Sequence, residues 1–600
     1  MKNIYTIILA AGLTFTSCSD FLDREPITNP NSTTFLSTQS QVENYINGLY
    51  PQLPSLGKFG MGVRGEEKNS DNIVSEKYDT RLNGESTLFD GTMDWENGFK
   101  YVRNVNYFFD NYRVDEESLG LSDDLKSLKG EAHFLRAYWH FFLLKKFGNI
   151  PYIESLLDAN ATIGQLQIPA LPRNEVAKKI LADLETAKSM LHPRSKFQGL
   201  RINKEAAMVL AMNVALYEGS WEKYHANDAF APATNESDYF FSEVVKIGDE
   251  LFTQNISLYS EKNAEGEEVG FEKLFNSKDL SNMDEVLFWK KYSDADGVFH
   301  ALSGLLGGGV VDQDAPAGVT QELIDNFLYK NGTAINPKDS KFKDFNKTFE
   351  NRDPRLSQMI MNSGAKFRST AKGSKPMLVK EYVEEEDDII NPPFLAGDGQ
   401  SRSITGYHIR LGIDTTYVEG NGETALPIIR YAEGLLAYAE AKAELNACTD
   451  EVLEKTIKPL RERSGVTYVK PASIDPNFTD FGYGLTPELQ EIRRERRSEL
   501  SLQGFRFDDL MRWRADKLIV GKRGKGAYLG KESILYKSFS PEKVKIVDER
   551  ALVGSDGWLD PLSQLLPRGY QFNPARDYLL PIPPTELSLN KKLVQNPGWE

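Results

Sequence analysis

The sequence predicts a mainly α protein: a tetratricopeptide-like helical solenoid scaffold carrying long loop and short-strand insertions. Three observations carry this. Several stretches repeat apolar residues at helical spacing, the broadest being Asp123–Phe147, where Leu125, Leu128, Ala132, Leu135, Tyr138, Trp139, Phe142 and Leu143 share a face. Two consecutive segments, Asn174–Leu191 and Asn203–Trp221, place Ala182, Ala187, Ala206, Ala207, Ala211 and Ala215 at contact positions, so that helices approach closely in pairs. Pro54–Gly91 and Lys366–Ile404 lack helical period and read as loop and strand-and-loop material.

Taken in order, Met1–Cys18 is a targeting segment rather than structure. Lys2 precedes the apolar run Ile4–Phe15, too short to span a membrane as a mature helix, and Phe15-Thr16-Ser17-Cys18 resembles a bacterial lipobox. That resemblance implies a signal peptide over 1–17, cleavage before Cys18, acylation of that cysteine and a lipidated tether over 18–31. The chain has two cysteines, so an acylated Cys18 leaves Cys448 without an intramolecular disulfide partner. Helical segments follow at Gln39–Tyr50, Trp95–Tyr112, Asp123–Phe147, the alanine-rich pair and Ser237–Thr253.

Beyond Tyr259 the character changes. Glu285–Trp289 predicts a short strand, Thr320–Phe327 a capped helix and Ile428–Leu445 a longer one. The glycine-rich loop at Gly304 and Gly307–Gly309 lacks the Gly-Lys-Ser/Thr of a P-loop, which excludes that mode of nucleotide binding. The acidic run Glu384–Asp388 lacks calcium-ligand spacing. A net charge of −16 argues against nucleic acid as a partner.

The densest pattern is Thr486–Arg514. Thr486 and Pro487 start a helix; Leu489, Ile492, Arg496 and Leu500 share a face; Gly504 breaks the period before Phe505, Phe507, Leu510, Met511 and Trp513. Glu488, Glu491, Glu495 and Glu499 interleave with Arg493, Arg494, Arg496 and Arg497, so Glu491/Arg494 and Arg496/Glu499 are spaced to pair. The stretch Glu495–Trp513 resembles the signature of the SusD/RagB family, with Gln503 and Phe505 in place of its usual Glu and His. Further family signatures are matched by Gly130–Ile153, Arg352-Asp353-Pro354-Arg355-Leu356, Ile428–Leu445, Leu460–Val466 and the tail Tyr578–Trp599.

The resemblance implies a SusD-like fold, divided here into an N-terminal region 32–258 and a C-terminal region 259–600 packed as one body. It also implies a non-enzymatic, cell-surface glycan-binding lipoprotein of the outer membrane, without cofactor or metal, serving a SusC-like TonB-dependent transporter. The residues agree in what they lack: none of the six histidines has H-E-x-x-H spacing, and no G-x-S-x-G elbow occurs. A glycan-processing hydrolase is the alternative, because abundant carboxylates leave a catalytic pair open. Ligand-binding candidates are loop residues with aromatic or polar side chains: Asp71, Asn72, Tyr78 and Arg81; Tyr292, Phe299 and His300; Tyr407 and Arg410. Trp95, Trp139, Trp221 and Trp513 are assigned to the scaffold.

Overall fold

Apolar periodicity is realised as a stack of helices. The structure, a computed structural model, describes residues 35–57, 61–116, 122–158, 160–302, 317–370, 373–384, 395–396, 402–414, 421–478 and 484–600. Cys18, the signal and tether segments, the glycine-rich loop and all but the first residue of the acidic run lie outside them.

Helix α1 (Gln39–Asn47) starts where the Thr38 side chain accepts from Gln41 N. Helix α2 (Thr92–Asn111) follows the early loop, and α3 (Asp123–Phe147) has the bounds its pattern predicts. The ends of α3 explain this. Ser122 Oγ accepts from Leu125 N at 3.1 Å, Asp123 and Asp124 occupy the first turn, and Lys145 and Lys146 occupy the last. Then come α4 (Arg173–Met190), α5 (Lys204–Tyr224) and α6 (Ser237–Leu251). Each helix from α2 to α6 packs on the next; α6 continues the stack onto α7 (Tyr431–Glu444), which lies against α8 (Asp450–Arg463) and α9 (Pro487–Glu499). Close approach depends on missing side chains: a Cβ on Gly248 of α6 would sit 2.4 Å from Tyr438 Cδ2 of α7. Helix α10 (Arg506–Arg512) closes on α5.

Six short strands are described: β1 (Ile73–Ser75), β2 (Val286–Lys290), β3 (Ala317–Val319), β4 (Lys366–Thr370), β5 (Gly373–Pro376) and β6 (Leu426–Arg430). They form three antiparallel pairs, β1 with β3, β2 with β6 and β4 with β5. Here one expectation is corrected. Ile428–Arg430 belong to β6, not to a helix, because Ile429 pairs with Phe288 across the ladder and α7 begins only at Tyr431. Two isoleucines beside a partner strand prefer the pleated surface.

Two main cores result. One fills the helical stack and holds Trp95, Trp139, Trp221 and Trp513, each at most 5% exposed. The other lies under the strand-and-loop layer, around Phe275, Trp289, Tyr407 and Leu559.

The signatures that stand apart in sequence meet at α9, whose Arg493, Arg494, Glu495, Arg496 and Glu499 are all buried. Glu495 accepts from Arg355 at 2.6 Å and Arg461 at 2.9 Å, and Glu499 accepts from Arg355, Arg430 and Arg463. Glu491 and Arg494 pair at 3.0 Å as their spacing predicts. Arg496 does not pair with Glu499; Asp509 of α10 takes it at 2.8 Å. The block is therefore an internal network joining segments that stand far apart in sequence, not a solvated helix face.

Candidate functional site

Strands β1 and β3 set Ser75 opposite Ala317, and the chain leaves the pair at Glu76. Segments 402–407 and 523–527 lie over this pair at separations that need glycine. A Cβ on Gly318 would fall 2.0 Å from Thr405 Oγ1, one on Gly524 2.4 Å from Val74 Cγ2, and one on Gly526 2.2 Å from Thr405 O. Ala527 N donates to Thr405 O at 2.7 Å and Gly526 N to Leu559 O at 2.8 Å, so the layers are tied by backbone bonds. Arg523 fixes the next turn: it donates to both oxygens of Asp560 at 2.7 and 2.8 Å and to Leu566 O at 3.2 Å. Helix α11 (Pro541–Arg550), capped by Ser540, ends at the same place.

These segments enclose a cleft of about 220 Å³, whose wall includes Glu76, Arg402, Ile404, Arg550, Gln564 and Leu565. Arg402 Nη2 donates to Glu76 Oε1 at 2.6 Å. Leu565 is 55% exposed and offers an apolar patch. Beside the cleft Tyr78 packs with Val74, Ile404 and Leu562, while its hydroxyl donates to Glu85 at 3.0 Å. That bond holds the phenol protonated beyond its usual range. Fixed donors and acceptors next to apolar surface and an aromatic ring suit a small polyhydroxylated ligand.

The predicted site residues are not brought together. Tyr78 does not line the cleft but packs on the same apolar cluster as Ile404, which does, and Phe299 is half-buried elsewhere, next to His300. Asn72, Tyr292, His300 and Tyr407 have buried side chains with internal partners. Asn72 Nδ2 donates to Glu67 at 2.7 Å, and Tyr292 Oη accepts from Leu56 N at 2.6 Å. His300 Nε2 lies 3.0 Å from Thr424 O, and Tyr407 Oη donates to Gln321 at 2.7 Å. Burial pushes His300 down to about 4, so the ring is neutral near pH 7. Asp71, Arg81 and Arg410 join neighbouring segments: Asp71 to Arg506 at 2.6 Å, Arg81 to Asp577 O at 2.8 Å, and Arg410 to Glu272 at 2.7 Å. Burial alone would raise the Asp71 carboxyl, but Arg497 and Arg506 hold it at about 2.

Sequence reasoning missed Glu76, Arg402, Arg550, Gln564 and Leu565. They come from four separate stretches, and nothing local marks them as neighbours. Among the described residues, no group of three or more His, Cys, Asp or Glu is placed to hold a metal ion, and no helix is long and apolar enough to cross a membrane.

The family described as "SusD family" matches residues 314–599, and the one described as "Starch-binding associating with outer membrane" matches residues 20–216. The chain belongs to the SusD/RagB family. SusD-like protein P2 of Formosa agariphila is 23% identical, with 100% of both chains covered. A SusD-like protein from Bacteroides fragilis superposes with a TM-score of 0.69 at 23% identity, covering 94% of this chain and 98% of that one. A SusD-like carbohydrate binding protein from the same species gives 0.68 at 21% identity, covering 94% and 100%. A laminarin binding SusD-like protein gives 0.53 at 18% identity, also covering 94% and 100%. In this SusD-family chain the two matched regions meet at the cleft: Glu76 comes from the first, and Arg402, Arg550 and Gln564 from the second.

Proposed function

We propose that this SusD-family protein is a cell-surface lipoprotein of the outer membrane that captures an oligo- or polysaccharide and delivers it to a SusC-like TonB-dependent transporter. The observation that carries the reading is the cleft, where Glu76, Arg402 and Gln564 stand beside Tyr78 and Leu565. Two structural neighbours are named for carbohydrate and laminarin binding, which fits that chemistry. Cys18 supplies the anchor in this reading, and regions 32–258 and 259–600 act as one body. Packing of α6 on α7 supports the second point, as does His225 Nε2 lying 3.0 Å from Met511 O.

Binding without catalysis is the preferred reading over hydrolysis. Glycoside hydrolysis uses two carboxyl groups about 5–10 Å apart across the scissile bond. Among the described residues that line the cleft, Glu76 is the single carboxylate. Isothermal titration against a glycan panel tests the proposal, with an assay for new reducing ends run on the same mixtures. Binding without new ends supports capture; new ends that depend on Glu76 replace it with the hydrolase alternative.

A further inference from the structure

We infer that the cleft selects acidic sugars, a uronate carboxylate or a sugar sulfate, and that Glu76 is an internal stand-in for that group on Arg402. The inference rests on the capture reading above and names its substrate class.

The two members of this ion pair differ sharply in exposure. The Arg402 side chain is 14% exposed, whereas its partner Glu76 is 52% exposed. The arginine side chain is thus largely shielded from water, while the carboxylate can turn into water by rotations of its own side chain. In the network at α9 both partners are buried: Arg430 is 1% exposed and Glu499 0%. There no incoming group can compete. At Arg402 one can, because an ion pair with one half-exposed member is weakly held.

An arginine so little exposed keeps an anion near it, and its planar fork reads the paired oxygens of a carboxylate or a sulfate alike. A uronate or sulfated sugar placing that group on Arg402 would lay its ring toward Ile404, Gln564 and Leu565, which line the same wall. Arg550 lines it too, so among the described residues the lining holds two arginines and one carboxylate in a chain of net charge −16. A guanidinium whose internal carboxylate can be displaced selects an anion at that point, and a neutral glycan makes no use of it.

The test is titration of the full mature chain with three probes: an oligogalacturonate, a sulfated galactan oligosaccharide and a laminarin oligosaccharide as the neutral control. The expected result at low salt is that one acidic probe binds about tenfold or more tightly than the neutral one, with the preference shrinking at high salt. Which acidic probe is preferred separates uronate from sulfate. Arg402→Gln should abolish the preference. Glu76→Gln, which removes the competitor, should strengthen acidic binding by a few-fold. A merely structural pair would show loss in both variants. If Arg402→Gln fails to fold, the salt dependence and Glu76→Gln still decide. Equal affinity for acidic and neutral probes, or weaker acidic binding by Glu76→Gln, overturns the inference while glycan capture stands. Absence of binding to all three probes overturns it as well, and silence across a wider neutral panel takes the capture reading with it.

Discussion

Arg355 Nη1 donates to Glu499 Oε2 at 2.8 Å, joining residues 144 positions apart in sequence. Arg430 and Arg463 reach the other oxygen at 2.9 and 2.6 Å, and none of these four side chains is more than 3% exposed. Three guanidinium groups from three sequence signatures share this carboxylate, and each also reaches another: Arg355 reaches Asp353 and Glu495, while Arg430 and Arg463 reach Glu285. Glu499→Ala leaves the buried arginines one carboxylate short, and such an uncompensated buried charge costs about 3–5 kcal/mol. Glu243→Ala removes the partner of Lys246, a lysine 73% exposed, and should cost less than about 1 kcal/mol. Urea unfolding of both variants gives the comparison; equal midpoints would show that the network does not hold the fold.

The same geometry fixes a pH dependence. Burial alone would raise the Glu499 carboxyl, but Arg463, Arg430 and Arg355 bring it to about 2. A folded-state value below the unfolded one of about 4.3 contributes stability that is present above about pH 4 and lost as pH falls toward 2. Glu222 has the opposite sign. Burial raises it, the Glu236 amide pulls it part of the way back, Glu218 adds to the rise, and it reaches about 8. Its contribution is present below about pH 4 and lost as pH climbs through 8. Among the described residues its Oε1 has no hydrogen-bond partner, so an amide fits there without breaking a bond. Glu222→Gln should raise the thermal midpoint at pH 8 and change it little at pH 5. Equal shifts at both pH values would refute the assignment.

How much of this was legible follows from range. Asp123–Phe147 was readable to its ends because its caps, terminal charges and apolar face are all local. Ile428–Arg430 misled because the deciding partner, β2, lies far upstream in sequence. Arg496 and Glu499 are correctly spaced to pair, yet Asp509 and the three distant arginines offered shorter, buried geometry. The cleft was the least legible part: Arg402 and Glu76 are 326 positions apart, and no periodicity links them. Tyr292 and His300 show the complementary limit, since a polar aromatic in a turn-rich stretch reads the same whether it faces water or, as here, the interior.

The layers packed through Thr405 should fail at their glycines. A Cβ on Gly526 would meet the Thr405 carbonyl oxygen at 2.2 Å, and backbone cannot step aside as a side chain does. Gly526→Ala should cost on the order of 1–3 kcal/mol and disturb Arg402 and Ile404 on the same segment. Thermal melting and glycan titration should fall together. A variant with wild-type stability and affinity would mean the layers are looser than this packing implies.

Anchoring is tested at Cys18, which follows Thr16-Ser17 after an apolar run. Two or more acyl chains give stable membrane attachment where one does not. Cys18→Ala should release a folded, soluble protein that no longer incorporates labelled fatty acid. Equal label on both forms would refute acylation at this residue.

Two tyrosines separate binding from folding. Tyr78 packs on the same apolar cluster as the cleft residue Ile404 and donates to Glu85 at 3.0 Å, whereas Tyr292 is 4% exposed, accepts from Leu56 N at 2.6 Å and meets the His300 ring edge-on at 4.8 Å. Sugar rings gain from a flat π surface beside fixed donors, and a ligand that must be handed on is expected at about −4 to −8 kcal/mol, micromolar to millimolar. Tyr78→Ala should therefore weaken glycan binding by about 1 kcal/mol or more, in the range of an aromatic contact, with little change in thermal midpoint. Tyr292→Ala removes a packed ring and leaves the Leu56 amide unpaired, so it should lower stability by about 3–5 kcal/mol. Its surviving folded fraction should bind normally. Titration and melting of both variants give four numbers, and the opposite pattern, with binding lost at Tyr292 and stability lost at Tyr78, would place the ligand on the other side of β3.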